Sequence, residues 1–269
     1  MPEMPEVDAV SRRLREAAAG ERIKSLRILR GSIAKPQHTE EIEAAVKGRT
    51  LITVRRRAKH IFLEFSGGAV IHIHLRMTGN LFVTPDARLF TSSARAVFHL
   101  SSGRGIVFED SRALGKLHLR TISEITEIES ELGWEPLDPA FTVAALGAMA
   151  KASAMPAKTF LMDQRYVAGL GNIYVAEVLH RAKVDPRKAM KTITRPAVAR
   201  IHQAIGSIMN EAVESVYSAY EQPGGFAEGE IFPVQVYDRE GEPCFRCKTE
   251  IRRIKQGGRS TYFCPGCQR

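Results

Sequence analysis

The stretch ITVRRRAKHIFLEFSGGAVIHIHLRMTG, residues 52–79, decides how the first half of this chain is read. Apolar residues alternate toward the end of the segment 52–65, the period of a strand with one buried face. Gly67-Gly68 is a hairpin turn signal, and residues 69–79 resume an apolar run. AVFHLSSGRGIVFED, residues 96–110, repeats the scheme around a Ser-Gly-Arg-Gly turn. Outward from these, residues 20 to about 120 are strand-like throughout. One helix precedes them: in residues 7–19, Val7, Val10, Leu14 and Ala18 share a face, and Asp8 sits in the first turn, where the helix dipole favours an anion. Several closely spaced strands behind one helix predict a β-sandwich.

From Glu131 to about Val216 the pattern turns helical. FTVAALGAMAKA (141–152), KTFLMDQRYV (158–167), NIYVAEVLHRA (172–182) and RPAVARIHQAIGSIMNEAVESV (195–216) are helical runs broken at Gly169, Gly171 and Pro186. EQPGGFAEGE (221–230) is a loop by its Pro and Gly content. The last 32 residues read as a separate module, because all four cysteines lie there.

Cys244 and Cys247 form one CxxC pair, Cys264 and Cys267 a second, sixteen residues apart. That spacing suits four thiolates at about 2.3 Å around one tetrahedral Zn2+. The alternative is a redox dithiol. So short a module has little core of its own, so the metal supplies its folding energy, and four cysteines leave no open position for catalysis. Between the pairs, Arg252, Arg253, Lys255 and Arg259 are uninterrupted by acids, with Arg259 after a Gly-Gly turn. They form either a phosphate clamp on a hairpin tip or a solvated face.

The chain has 269 residues, 44% hydrophobic, enough for two domains and a small third. Its 39 Lys and Arg against 30 Asp and Glu give +9, a balance suited to a polyanionic partner. No window approaches the roughly 18 apolar residues of a membrane span, and the start lacks the basic and apolar regions of a signal peptide. A cytoplasmic, membrane-free protein is the expectation, and the clustered cysteines agree with a reducing compartment.

Three further stretches carry chemistry. Gly169, Gly171 and Asn172 precede a helix, which makes either an anion site with a capping Asn or an ordinary capped helix. Met77 and Leu114 are apolar residues in turn segments; they are either buried, or wedges for a base stack with His74 and Arg112 beside them. The opening MPEMPEV is either a loose tail or, with its terminus, a reagent.

Together these pieces resemble the formamidopyrimidine-DNA glycosylase family, which includes the endonuclease VIII branch. The resemblance runs along the whole chain: MPEMPEV, RRRAKHIFLEF (55–65), HLRMTG (74–79), DSRALG (110–115), KTFLMDQRYVAGLGNIYVAE (158–177), and VYDREGEPC (236–244) with GGRSTYFC (257–264). It implies an α+β fold: an N-terminal β-sandwich with flanking helices over 1–130, a helix–two-turn–helix DNA-binding domain over 131–225, and a lesion loop with a C-terminal β-hairpin zinc finger over 226–269. It implies a monomer acting on damaged double-stranded DNA, excising an oxidised base and then cleaving the abasic strand.

Removal of Met1 exposes Pro2 as a secondary amine. An α-amine has a pKa of about 7.7–8.0 against about 10.4 for Lys, so more of it is nucleophilic at neutral pH. Attack on C1′ gives an iminium whose charge draws electrons for elimination of the 3′- and then the 5′-phosphate. Glu3 is positioned in sequence to serve as general acid/base. The resemblance gives Lys59 a role beside the phosphate and in β-elimination, and Arg259 a role in phosphate gripping or the δ step. The resemblance also implies that Lys158 and Asn172 contact the backbone around the flipped nucleotide and that Glu6 lines the pocket.

The chain also departs from the family. Leu114 replaces the phenylalanine wedge, and Ala113 replaces a second arginine. Ser93 and Arg95 occupy a region that usually carries a histidine. Residues 215–230 lack the usual lesion-loop pattern. MPEMPEV and HLRMTG favour purine-type lesions such as formamidopyrimidines and 8-oxoguanine. Oxidised pyrimidines or further-oxidised guanine are the alternative, and a non-catalytic damage-binding protein is a third reading.

Overall fold

The computed structural model describes residues 2–219 and 232–269. The chain divides into two compact units: the described residues of 1–130 and 216–228, and those of 131–215 and 229–269.

The first unit begins with helix α1 (Met4–Ala18), three residues earlier than apolar periodicity predicts. The reason is local. Pro5 sits in the first turn, where its missing N–H costs nothing, and Glu3 and Glu6 form a reciprocal capping box. Strand β1 (Ile23–Ile28) follows, then helix α2 (Thr39–Val46), which lies inside the region read as strands. Its signal is short: Ile42 and Val46, one turn apart, are fully buried, and Glu40 and Glu41 open the helix.

The stretch 52–65 is a hairpin, where alternation alone suggested one run. Strand β2 (Leu51–Arg57) turns through Ala58-Lys59 into β3 (His60–Phe65), with Arg57 paired to His60. Ala58 takes φ +50, a left-handed conformation that the sequence does not announce with Gly or Asn. The Gly67-Gly68 turn does form, at φ +73 and +80, and leads to β4 (Val70–His74). Then come β5 (Gly79–Thr84), β6 (Ala94–Leu100), β7 (Gly105–Asp110) and β8 (Lys116–Arg120).

The strands make two antiparallel sheets, β1-β6-β7-β5 and β2-β3-β4-β8. One core joins them. Leu26, Leu81, Phe98, Ile106 and Phe108 come from the first sheet, Ile61, Leu63, Ile71 and Ile73 from the second, and Val7, Val10 and Leu14 from α1. Each such side chain contributes about 1.5–3 kcal/mol by leaving water. The expected β-sandwich is thus present. Helix α3 (Ile122–Ser130) covers part of the outer face of the second sheet, packing Ile125 on Phe62 and Val70, so helix begins ahead of residue 131.

The second unit holds α4 (Val143–Lys151), α5 (Ala157–Met162), α6 (Asn172–Ala182) and most of α7 (Arg195–Ala219), then the hairpin β9 (Arg252–Gln256) and β10 (Arg259–Phe263). The hairpin shares a small core with α6, made of Ala176, Val236, Cys244, Ile251, Tyr262 and Cys264. Among the described residues no helix is long and apolar enough to cross a membrane.

Candidate active site and nucleic-acid interface

Pro2 and Glu3 are both buried, with Glu3 only 1% exposed. Glu3 is the extended N-cap of α1, and its carboxylate lies at the positive end of the helix dipole. Its backbone N–H donates to Glu6 Oε2 at 2.8 Å, and its carbonyl accepts from Val7 N–H at 3.1 Å. Glu6 therefore fixes the orientation of the Pro2-Glu3 segment. Asp8, one turn on, pairs with Arg56 at 3.1 Å and Arg12 at 2.7 Å. Because Arg56 lies one residue before the end of β2, this pair holds the start of α1 beside the tight turn that carries the buried Lys59.

Met77 lies in one turn of the sandwich, and Arg112 and Leu114 in another that is tied to it through Thr78. The turn after β4 and the turn after β7 are joined by a short hydrogen bond from Thr78 Oγ1 to Asp110 Oδ1, and Gly79 pairs with Asp110 across the strands. Asp110 is fully buried. Its carboxylate also accepts the N–H of Arg112 at 3.2 Å and of Gly115 at 2.7 Å. Gly115 is obligatory, since a Cβ there would lie 2.5 Å from the Phe108 ring. Arg95 braces the same turn, donating to the Asp110 carbonyl at 2.7 Å and to that of Ser111 at 3.4 Å. Arg95, in the region expected to carry a histidine, is thus a structural support of the turn. Around this frame Met77 is half-buried, Arg112 is exposed and Leu114 is 42% exposed, so the buried reading of Leu114 does not hold. Asp110→Ala removes the acceptor and strands these donors. It is expected to cost about 3 kcal/mol of stability, read as a lower urea midpoint.

His74 ends β4. Its Nδ1 accepts the Arg76 N–H at 3.0 Å, so a neutral ring carries its proton on Nε2, facing other partners as a donor. Behind it lies a histidine cluster that sequence reading missed, although the alternation at 70–74 and the cross-strand register generate it. His60 pairs with His74 and Phe62 with His72, and His60 Nδ1 meets His72 Nε2 at 2.8 Å. Burial, then the charges of Arg76, Arg57 and Lys59, lower His60 to about 4. Burial, then His60 and Arg120, lower His72 to about 3, and burial, then His60 and Arg76, lower His74 to about 2.

These rings stay neutral in the folded state where the unfolded chain begins to bind protons. Their stabilisation is complete above pH 6.5 and is lost as pH falls toward 4, by up to about 1.4 kcal/mol per pH unit for each ring. Urea midpoints measured from pH 7.5 to 4.5 should therefore fall, and His72→Phe should flatten the slope.

In the second unit, Lys158 is 1% exposed and its Nζ donates to Ser260 O and Thr261 Oγ1, both at 2.7 Å. Burial, then the nearby Arg259 charge, brings its ammonium down to about 8. Arg259 opens β10, exposed, directly after Gly257-Gly258 at φ +54 and +76, as the hairpin-tip reading expected. Asn172 is not the helix cap. Gly171 is the N-cap of α6 and Asn172 its first residue, with an Oδ1 that meets no donor among the described residues. Gln164, which no local sequence signal marks, builds the loop before it: Oε1 accepts Gly169 N–H at 2.8 Å, and Nε2 donates to Met162 O and Leu170 O.

The Sγ atoms of Cys244, Cys247, Cys264 and Cys267 all lie within 4.8 Å of one another. Cys244 to Cys267 is 3.9 Å and Cys247 to Cys264 is 3.3 Å, against the roughly 3.8 Å edge of a tetrahedral zinc–thiolate site. The four thiolates fit one structural zinc ion, and a Cβ on Gly266 would crowd Cys247 Sγ at 3.1 Å. The expected lesion-loop region lies largely outside the described residues, at 220–231.

Residues 1–117 match the family model of the formamidopyrimidine-DNA glycosylase N-terminal domain, 132–222 that of its H2TH domain, and 241–269 the zinc finger found in FPG and IleRS. A formamidopyrimidine-DNA glycosylase of Pelotomaculum thermopropionicum is 34% identical over 278 residues, covering 100% of this chain and 99% of that protein. The chain belongs to the formamidopyrimidine-DNA glycosylase family. Another member, from Chloroflexus aggregans, is 36% identical, with 100% and 98% of the two chains covered. Two solved structures of the Lactococcus lactis formamidopyrimidine-DNA glycosylase are similar in fold. One is non-covalently bound to DNA containing an AP site (TM-score 0.90, 28% identity, 99% of each chain), the other bound to DNA containing FAPY-dG (0.88, 29%, 99% and 100%).

Proposed function

We propose that this chain is a bifunctional DNA glycosylase/AP lyase of base excision repair, acting as a monomer on damaged double-stranded DNA inside the cell. It removes oxidised purine-type bases, formamidopyrimidines and 8-oxoguanine among them. The observation that carries this reading is the held N-terminus: buried Pro2 and Glu3, fixed by the Glu6 carboxylate, at the mouth of α1. With Met1 removed, the Pro2 nitrogen attacks C1′, the base leaves, and the iminium drives loss of the 3′- and then the 5′-phosphate. Glu3 transfers the proton that opens the sugar ring.

The neutral His74 Nε2–H, Lys59 and Arg112 serve the phosphates, and Met77 and Leu114 fill the gap left by the flipped nucleotide. Arg259, Asn172 and Lys158 act on the DNA backbone from the second unit. Lys158 does so chiefly by holding the strand that bears Arg259, since its ammonium is engaged with Ser260 and Thr261. The same reading assigns 1–130 as the catalytic domain, 131–225 as the DNA-binding helical domain, and 226–269 as lesion loop and zinc finger.

The test is reductive trapping. The processed chain is incubated with duplexes carrying 8-oxoguanine, a formamidopyrimidine, an oxidised pyrimidine or an abasic site, and borohydride is added. A covalent adduct is expected with the purine lesions and the abasic site. Leu114, exposed and aliphatic, can wedge but not stack, so it bears on how the base stack is probed and which opposite base is preferred, and the panel ranks the lesions. Absence of any adduct rules out the lyase.

A further inference from the structure

Helix α6 reaches the metal site by a side chain that lies outside the zinc-finger segment, 64 positions before the first ligand. His180 is 2% exposed, and its Nε2 lies 3.6 Å from Cys244 Sγ. We propose that His180 donates a hydrogen bond to the zinc-bound sulfur of Cys244 and so makes α6 part of the metal site. A thiolate on zinc carries no proton and can only accept, so the proton of this contact belongs to Nε2. The surroundings hold the ring to this task. Arg246, between the first two cysteines, donates to the His180 carbonyl at 3.4 Å, clasping the residue from its other end. One turn earlier, the Glu177 carboxylate accepts the N–H groups of Gln235, Val236 and Tyr237 at 2.8, 3.0 and 2.9 Å. Ala176 completes the stripe, packed in the core of the finger.

Four thiolates around one dication leave a net charge of −2, and a buried N–H aimed at one sulfur withdraws part of it. This strengthens retention of the metal and makes Cys244 a poorer nucleophile. Outer partners of this kind change metal affinity by about 10- to 100-fold.

The test uses the full chain, loaded with zinc or with Co2+ at the same site. His180→Phe keeps a ring but removes the donor, while His180→Gln keeps a side-chain N–H. Zinc transfer to a chromophoric chelator is expected to be about 10- to 100-fold faster in the Phe variant and within a few-fold of the parent in the Gln variant. The thiolate-to-cobalt charge-transfer bands should move to longer wavelength in the Phe variant only, because the sulfur lone pair rises in energy when the hydrogen bond is lost. Unmoved bands and parental release in His180→Phe would make the ring mere packing and overturn the assignment. Should that variant not load, parental bands and release in His180→Gln support the assignment and altered ones overturn it.

Discussion

Placing a tag or any residue ahead of Pro2 is expected to abolish covalent capture on abasic DNA, lowering adduct yield by about 100-fold or more. The nitrogen decides this. As the chain terminus it has a free lone pair; once acylated it belongs to a planar amide whose lone pair is delocalised, and it cannot attack C1′. Folding should survive, because Glu3 still caps α1 through the Glu6 carboxylate and the sandwich core does not involve Pro2. Cleaving the tag to leave Pro2 first must restore the adduct. Pro2→Gly, processed to a free glycine amine, keeps a primary nucleophile and should fall between the two. If a blocked terminus traps DNA as well as a free one, a lysine is the nucleophile, and the buried Lys59 is the first to replace. Glu3→Gln separates the steps: it keeps the amine, so the nucleophile is intact, but removes the group that moves the ring-opening proton.

What the sequence revealed and what it withheld follow the range of the forces involved. Alternation over 52–65 and 96–110 is a local consequence of one buried face, so the sandwich was legible. CxxC spacing is likewise local, and the four sulfurs do converge. The turn at Ala58-Lys59 was not legible, because alanine is held at φ +50 by the strands on either side and not by its own preference. The start of α1 at Met4 is set by the capping pair Glu3 and Glu6, which apolar periodicity from Val7 onward does not register. Asp110, Gln164 and His180 each act on groups brought near by folding: a facing turn, a loop carbonyl and a sulfur from another element. Nothing in their immediate neighbours announces those partners. Lys158 is the same lesson from the other side. The resemblance assigns it to DNA, while its ammonium, buried under the finger hairpin, holds Ser260 and Thr261.

Metal removal is expected to unfold the finger and loosen α5 and α6 while leaving the sandwich intact. Among the described residues, the buried core of the finger is five residues of its own, Val236, Cys244, Ile251, Tyr262 and Cys264, with Ala176 from α6, and the partly buried Tyr237 and Cys267 packed against it. Two of the five are zinc ligands, so so small a core cannot stand without the ion. Structural zinc sites of this type contribute about 10–16 kcal/mol of binding free energy near pH 7, which is folding free energy here. Its loss propagates through named groups. Unfolding of β10 strips Lys158 of Ser260 and Thr261, and leaves an ammonium in a pocket built for those acceptors. Unfolding of 235–237 takes three N–H donors from Glu177, a carboxyl that burial already pushes above its usual range. The first unit shares none of these contacts, and its core runs from α1 through both sheets. Amide exchange after chelation, or in Cys264→Ser, should therefore rise over 232–269, 157–162 and 172–182, and stay at parental levels in β2–β4 and β6–β7. Affinity for abasic-site DNA should fall at least about 10-fold, with a shallower salt dependence, since the cations on β9 and β10 no longer share a rigid frame. Unchanged exchange over 232–269 in the metal-free chain would show that the finger holds itself together.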